Sequence, residues 1–242
     1  MLLHQVFPGL QSPAARSIIS AADYFFDLTG PASVLNAELS LLRANALLAQ
    51  IQKIDPNYRV RSRGMTNPET AAGWKTYLAG LRMDRAAALY GARGETGPLQ
   101  VETLRFLQER VDAAYAEGLK RLKAGKIDTR LSDRVGLGNF IDLTVRKELR
   151  EFYNIYGIQL TKASPVRVVP REYWTKGEER TFSIPDSRVG RVAFDMTLHQ
   201  KTLGTPQIRN FFGSDFQPDV IIIVRPTQLG RGSTYAITRP RS

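Results

Sequence analysis

The chain contains no cysteine, which excludes disulfides, thiolate nucleophiles and cysteine-held zinc or iron–sulfur sites. Histidine is scarce too. His4 and His199 are the two in 242 residues, too few for a multi-histidine metal site. A metal held here would be bound by carboxylates and would be a hard ion, Mg²⁺ or Mn²⁺. Long apolar runs are also missing. The longest, VIIIV at 220–224, has the length of a buried strand and falls far short of the ~20 residues that span a bilayer. No transmembrane segment is expected. The opening MLLHQVFPGLQSPAARS lacks a basic start, and His4, Gln5 and Pro8 interrupt any apolar core, so no classical signal peptide is expected either.

Positive charge is abundant. The formal net charge is +11 and the pI about 10.1, a balance that favours polyanionic partners: nucleic acid, an anionic membrane surface or an acidic protein. The excess is spread over both halves of the chain, with no basic tail. Hydrophobic content of 43% and charged content of 24% are ordinary for a soluble globular protein, and the length suits two modest domains.

The first half has helical periodicity. Apolar residues recur at three-to-four spacing over 14–28, 33–54, 67–92 and 97–125. A linker is expected at 125–138, after which the texture changes. One helix is predicted at 139–158. Strands follow at 165–174, 180–189 and 191–202, then a helix at 205–212 and strands at 219–226 and 234–240, with a hairpin turn at Val189-Gly190. The fold class expected is α+β: a helical domain over 1–128 and an α/β domain over 129–242.

The chemistry gathers around FSIPDSRVGRVAFDMTLHQKT, residues 182–202. Charges inside strand-forming runs cost free energy unless they are paired, solvated or bound to a metal. In an extended strand, Asp195, Thr197, His199 and Lys201 share one face, opposite Phe194, Met196 and Leu198. A tight hairpin brings Asp186 towards Asp195, so that the two carboxylates converge on one cation. Two carboxylates with a divalent metal and a lysine are the equipment of phosphodiester hydrolysis: the metal acidifies a water, and the lysine orients it or offsets phosphate charge. On the helix at 139–158, Glu148 falls within the apolar stripe Ile141, Val145, Phe152 and Ile155 and becomes the candidate third acid. Asp142 and Glu151 lie just off that stripe. His199 and Gln207 are candidates for phosphate contact, with Thr197 beside them. Thr205 reads as an ordinary cap for the second helix. The acids also fit a second reading, a basic nucleic-acid- or protein-binding module in which they are structural.

The order of helix with Glu148, strand, strand with Pro185-Asp186, strand with Asp195 and lysine, helix, strand resembles the PD-(D/E)xK, or restriction-endonuclease-like, superfamily. The resemblance implies an αβββαβ core, Mg²⁺ or Mn²⁺ held by Asp186, Asp195 and Glu148, and Lys201 as the catalytic lysine. One departure is plain: the family places its lysine two residues after the second acid, where this chain has Thr197. More narrowly, VGLGNFIDLTVRKELREFY, TPQIRNFF and VIIIVRPTQLG resemble nuclease modules of bacterial polymorphic toxins, delivered by contact-dependent or type VI systems. That implies a secreted effector acting in the cytoplasm of a target bacterium and neutralised by a cognate acidic immunity protein. DNA is the substrate expected, with RNA, tRNA included, as the alternative. The resemblance covers 136–242, and a fragment of that span is expected to carry the activity alone.

Overall fold

The computed structural model describes residues 35–61, 68, 70–128, 130, 132–176, 179–230 and 233–240. Among these residues it is a mixed α/β protein with five α-helices and a predominantly antiparallel sheet in the C-terminal region. The helix expected at 14–28 lies outside the described residues. No described helix is long and apolar enough to cross a membrane.

The chain forms two units, one of residues up to 102 with 155–157 added, the other of residues 103–154 and 158 onward. The division falls inside a helix, ahead of the composition change near residue 128.

The first unit is built on α1 (Leu35–Ile54) and α2 (Ala71–Arg93). Ala44, Leu47 and Ile51 of α1 pack against Trp74, Leu78, Leu81 and Ala88 of α2, the three-to-four spacing that defines a buried helix face. Thr70 caps α2 by accepting from the Gly73 N–H, and Gly94 closes it in the left-handed conformation (φ 68°). Asp84 is fully buried in α2 and accepts from the Tyr58 hydroxyl at 3.1 Å and the Arg61 N–H at 2.9 Å. Burial first, then the Asp84 charge, pushes the Tyr58 phenol up.

The second unit holds most of α3 (Gly97–Lys123) and α4 (Asp133–Ile155), followed by β1 (Val166–Val168), β2 (Glu172–Lys176), β3 (Glu179–Ser183), β4 (Ser187–Val189), β5 (Val192–Met196), α5 (Pro206–Gly213), β6 (Val220–Val224) and β7 (Thr234–Thr238). Five strands make one sheet in the order β1-β4-β5-β6-β7, and β2-β3 form a separate hairpin. All sheet pairings are antiparallel except β5–β6, the pair joined through α5 as a parallel connection requires. β5 and β6 are buried along their whole length, which explains the uninterrupted VIIIV. Ile208, Phe211 and Phe212 of α5 cluster with Ala193, Ile221, Ile223 and Ile237, so α5 covers one face.

Two expected strands break at prolines. The run 165–174 divides at Pro170, where Val169 has φ 54°, and 180–189 divides at Pro185. A proline has no N–H for a sheet ladder. The Val189-Gly190 turn forms as expected, with Gly190 at φ 58°. α4 begins at Asp133, six residues ahead of expectation, so much of the expected linker is helix. Gly136 is needed there, because a Cβ would stand 2.3 Å from the Asp128 carbonyl oxygen.

Candidate active site

The register of β4 and β5 pairs Ser187 with Phe194, which sets Asp186 opposite Asp195. The Asp186 N–H donates to the Phe194 carbonyl at 3.0 Å, and the Val169 N–H donates to the Asp186 carbonyl at 2.9 Å. A β-branched residue at φ 54° is strained, and that strain accompanies the backbone contact that pins Asp186. Both aspartates are almost wholly buried, 4% and 3% exposed. They line a cavity of about 290 Å³ with Asp142, Arg146, Thr197, His199, Lys201 and Gln207.

Each buried carboxylate has its own cation. Lys201 Nζ donates to Asp195 Oδ2 at 2.6 Å and to Gln207 Oε1 at 2.6 Å, and Gln207 Nε2 donates to Asp195 Oδ1 at 3.1 Å. The three side chains close a ring. Arg146 donates to Asp186 Oδ1 through Nε at 3.0 Å and through its terminal nitrogen, while Asp186 Oδ2 accepts from the Met196 N–H. The Tyr235 hydroxyl accepts from the Lys201 N–H at 2.6 Å and donates to the Lys201 carbonyl at 2.8 Å, holding the loop that presents the lysine.

The negative charge is nevertheless under-compensated. Burial, then the charge of Asp186, pushes the Asp195 carboxyl up to about 6, with Lys201 and Arg146 opposing. The same two causes push Asp142 up to about 7, against Arg146. Asp142 Oδ1 is buried and accepts no hydrogen bond: Arg146 Nε lies 2.6 Å from it but directs its N–H at Asp186.

Most of the expected site residues therefore meet. Asp186, Asp195, Lys201, Gln207, Thr197 and His199 all line one cavity; Glu148 does not. It stands partly exposed, 3.7 Å from Arg110. The buried line of α4 is Ile141, Val145, Leu149 and Tyr153, a four-residue repeat that drifts round the helix and leaves Ile155 exposed and Glu148 to one side. The helix-borne acid at the cavity is Asp142, one turn before Arg146. The extended-strand placement of Lys201 is also corrected. β5 ends at Met196, the Thr197 N–H bonds the Val224 carbonyl at 3.1 Å, and the chain bends at 198–199. His199 is exposed on that bend. Thr205 does not cap α5 with its side chain; its hydroxyl accepts from the Thr202 N–H at 3.0 Å.

Among the described residues, no three His, Cys, Asp or Glu side chains stand in a set that could hold a metal ion. Asp186 and Asp195 supply two hard carboxylate donors, a number that suits an ion which keeps several waters. The under-compensated charge around them fits a divalent cation. Comparison with protein-family models, curated proteins and solved structures gives no match for this chain.

Proposed function

We propose that the second unit is a metal-dependent phosphodiesterase of restriction-endonuclease-like architecture that cleaves nucleic acid, DNA before RNA. The observation that carries the reading is the contact of Lys201 with Asp195, 2.6 Å from Nζ to Oδ2, beside Asp186 in one cavity. The element order α4-β1-β4-β5-α5-β6 is the αβββαβ succession with the β2-β3 hairpin inserted, and the parallel β5–β6 pair sits next to the two acids.

In this reading Asp186 and Asp195 hold Mg²⁺ or Mn²⁺, which when bound acidifies a water and offsets charge on the phosphate. Arg146 fixes the Asp186 carboxylate. Lys201 keeps Asp195 ionised and presents an ammonium group where charge develops on the phosphate. Gln207 orients both members of that pair. The basic chain, at +11, raises the local concentration of polyanionic substrate. The toxin role, delivery into a target bacterium and an acidic immunity partner belong to the same proposal and rest on the sequence resemblance together with this charge.

One observation favours the second reading, a binding module without hydrolysis: Asp195 and Asp186 are each already ion-paired, to Lys201 and Arg146, as in a structural network. Purified protein incubated with plasmid DNA and with total RNA, in Mg²⁺ or in chelator, separates the two. Cleavage that chelator stops supports the nuclease; tight binding without cleavage in either condition supports the binding module.

A further inference from the structure

Outside the carboxylate cluster, the same cavity is lined by basic residues that are exposed. Arg134, near the start of α4, and His199 line it, and both are exposed. Arg134 donates to the Leu198 carbonyl at 2.8 Å, and Arg225, just after β6, donates to the same oxygen at 3.4 Å. Two guanidinium groups thus converge on one backbone carbonyl beside an imidazole. Among the described residues Arg134 has no carboxylate partner. Burial, then the charges of Arg134, Lys201 and Arg225, holds the His199 imidazole below its ordinary value. Bringing like charges together costs free energy that a bound anion would recover. The arrangement is also fixed in place: the Arg225 carbonyl accepts from Gln108 Nε2 at 3.0 Å, and Asp112 accepts from the Thr227 N–H at 2.7 Å, anchoring the loop behind Arg225 to α3.

We infer that Arg134, His199 and Arg225 form a second anion subsite, which takes the phosphate next to the scissile one, so that the substrate is a polynucleotide strand and not an isolated phosphodiester. The inference rests on the nuclease reading above. Guanidinium groups match the geometry of phosphate oxygens. The buried Asp186 and Asp195 line the cavity together with the exposed Arg134 and His199, so a strand that reaches the carboxylates runs beside Arg134 and His199.

The test uses the full chain in chelator, where no cleavage competes, with thymidine dinucleotide (one phosphodiester) and trinucleotide (two) as probes. The trinucleotide is expected to bind on the order of tenfold more tightly, with a salt slope steeper by about 0.7 for the added single-strand phosphate contact. Arg134→Gln should bring the trinucleotide close to the dinucleotide's affinity, while Arg134→Lys keeps most of the difference. With trinucleotide bound, the His199 ring signal, assigned by its loss in His199→Gln, should titrate at higher pH. Equal affinities and slopes for the two probes in the wild type overturn the subsite and leave the nuclease reading standing, as does an Arg134→Gln protein that binds both as the wild type does. A wild type that binds neither probe also overturns the subsite, and the nuclease reading is then judged apart from it, by cleavage in Mg²⁺.

Discussion

Lys201 Nζ lies 2.6 Å from Asp195 Oδ2, although an extended strand would separate residues six apart by about 20 Å. The bend at 198–199 brings the lysine back, and the Tyr235 hydroxyl holds both backbone polar groups of Lys201. A lysine displaced along the sequence thus reaches the acid that a lysine two residues on would have met directly.

Replacing Lys201 should therefore disable the cavity by two routes. Lys201→Met removes the ammonium group and leaves Asp195 with burial and Asp186 raising its carboxyl. Cleavage should fall by about 10²-fold or more, and the Asp195 carboxyl should move further above its ordinary range. Breaking a buried pair costs about 3 kcal/mol, a cost lessened here because Asp195 takes up a proton. A folded Lys201→Met protein with wild-type turnover would remove the lysine from the proposal.

Gln207→Leu should act more gently. It deletes one hydrogen bond to each partner of the ring and leaves the ion pair in place. A loss of about 1 kcal/mol in stability and about a tenfold drop in kcat are expected. Denaturant midpoints and steady-state kinetics check the two separately.

The elevated carboxyls of Asp142 and Asp195 make a pH signature. Both rest near 3.8 when unperturbed and are raised in the fold, to about 7 and about 6. Between about pH 4 and pH 7 the native state holds protons that the unfolded chain has released, so this contribution to stability falls as pH rises. The Asp219–Arg191 pair acts the other way, its carboxyl lying below the usual range, with its stabilisation lost as pH falls. The measurement is thus the difference between wild type and Asp142→Asn in denaturant midpoint across pH 4.5–7.5, with chelator and with Mg²⁺. The variant should flatten the fall, and Mg²⁺ should flatten it in the wild type. A difference that does not change with pH would contradict the charge account.

Much of this was legible in the sequence, for physical reasons that also explain what was not. Helix periodicity located α1 to α5 to within a few residues, save for the start of α4. VIIIV announced a buried strand, and Pro185-Asp186 with Asp195 marked the acids that meet. Period-two alternation over 191–202 misleads: it continues through Lys201, but β5 ends at Met196, the last bond to β6 is made by the Thr197 N–H, and the chain then bends at 198–199. A stripe through Phe152 and Ile155 points to Glu148, whereas packing follows Ile141, Val145, Leu149 and Tyr153. Asp142 gains its place from Arg146, one turn on, which also holds Asp186. No local pattern encodes such a contact across about forty residues. Nor does one reveal that α3 from Thr103 onward belongs to this unit.

Contacts from α3 reach the core and the cavity of the second unit. Thr103 hydrogen-bonds the buried Tyr153 hydroxyl at 2.7 Å, Val111 lines the cavity, and Gln108 and Asp112 hold the 225–228 loop. A 103–242 fragment should fold cooperatively and cleave, while 136–242, without α3, should be unstable and inactive. Thermal unfolding and cleavage by each fragment decide it. Activity in 136–242 would show α3 to be dispensable.

The most direct test of the central claim is cleavage by Asp186→Ala, Asp195→Ala and the double variant, each shown to be folded by its near-ultraviolet circular dichroism. If the two aspartates act as one unit on one metal, each single variant abolishes Mg²⁺-dependent cleavage and the double is scarcely worse than either. A folded Asp195→Ala protein that still cleaves at near the wild-type rate would contradict the account.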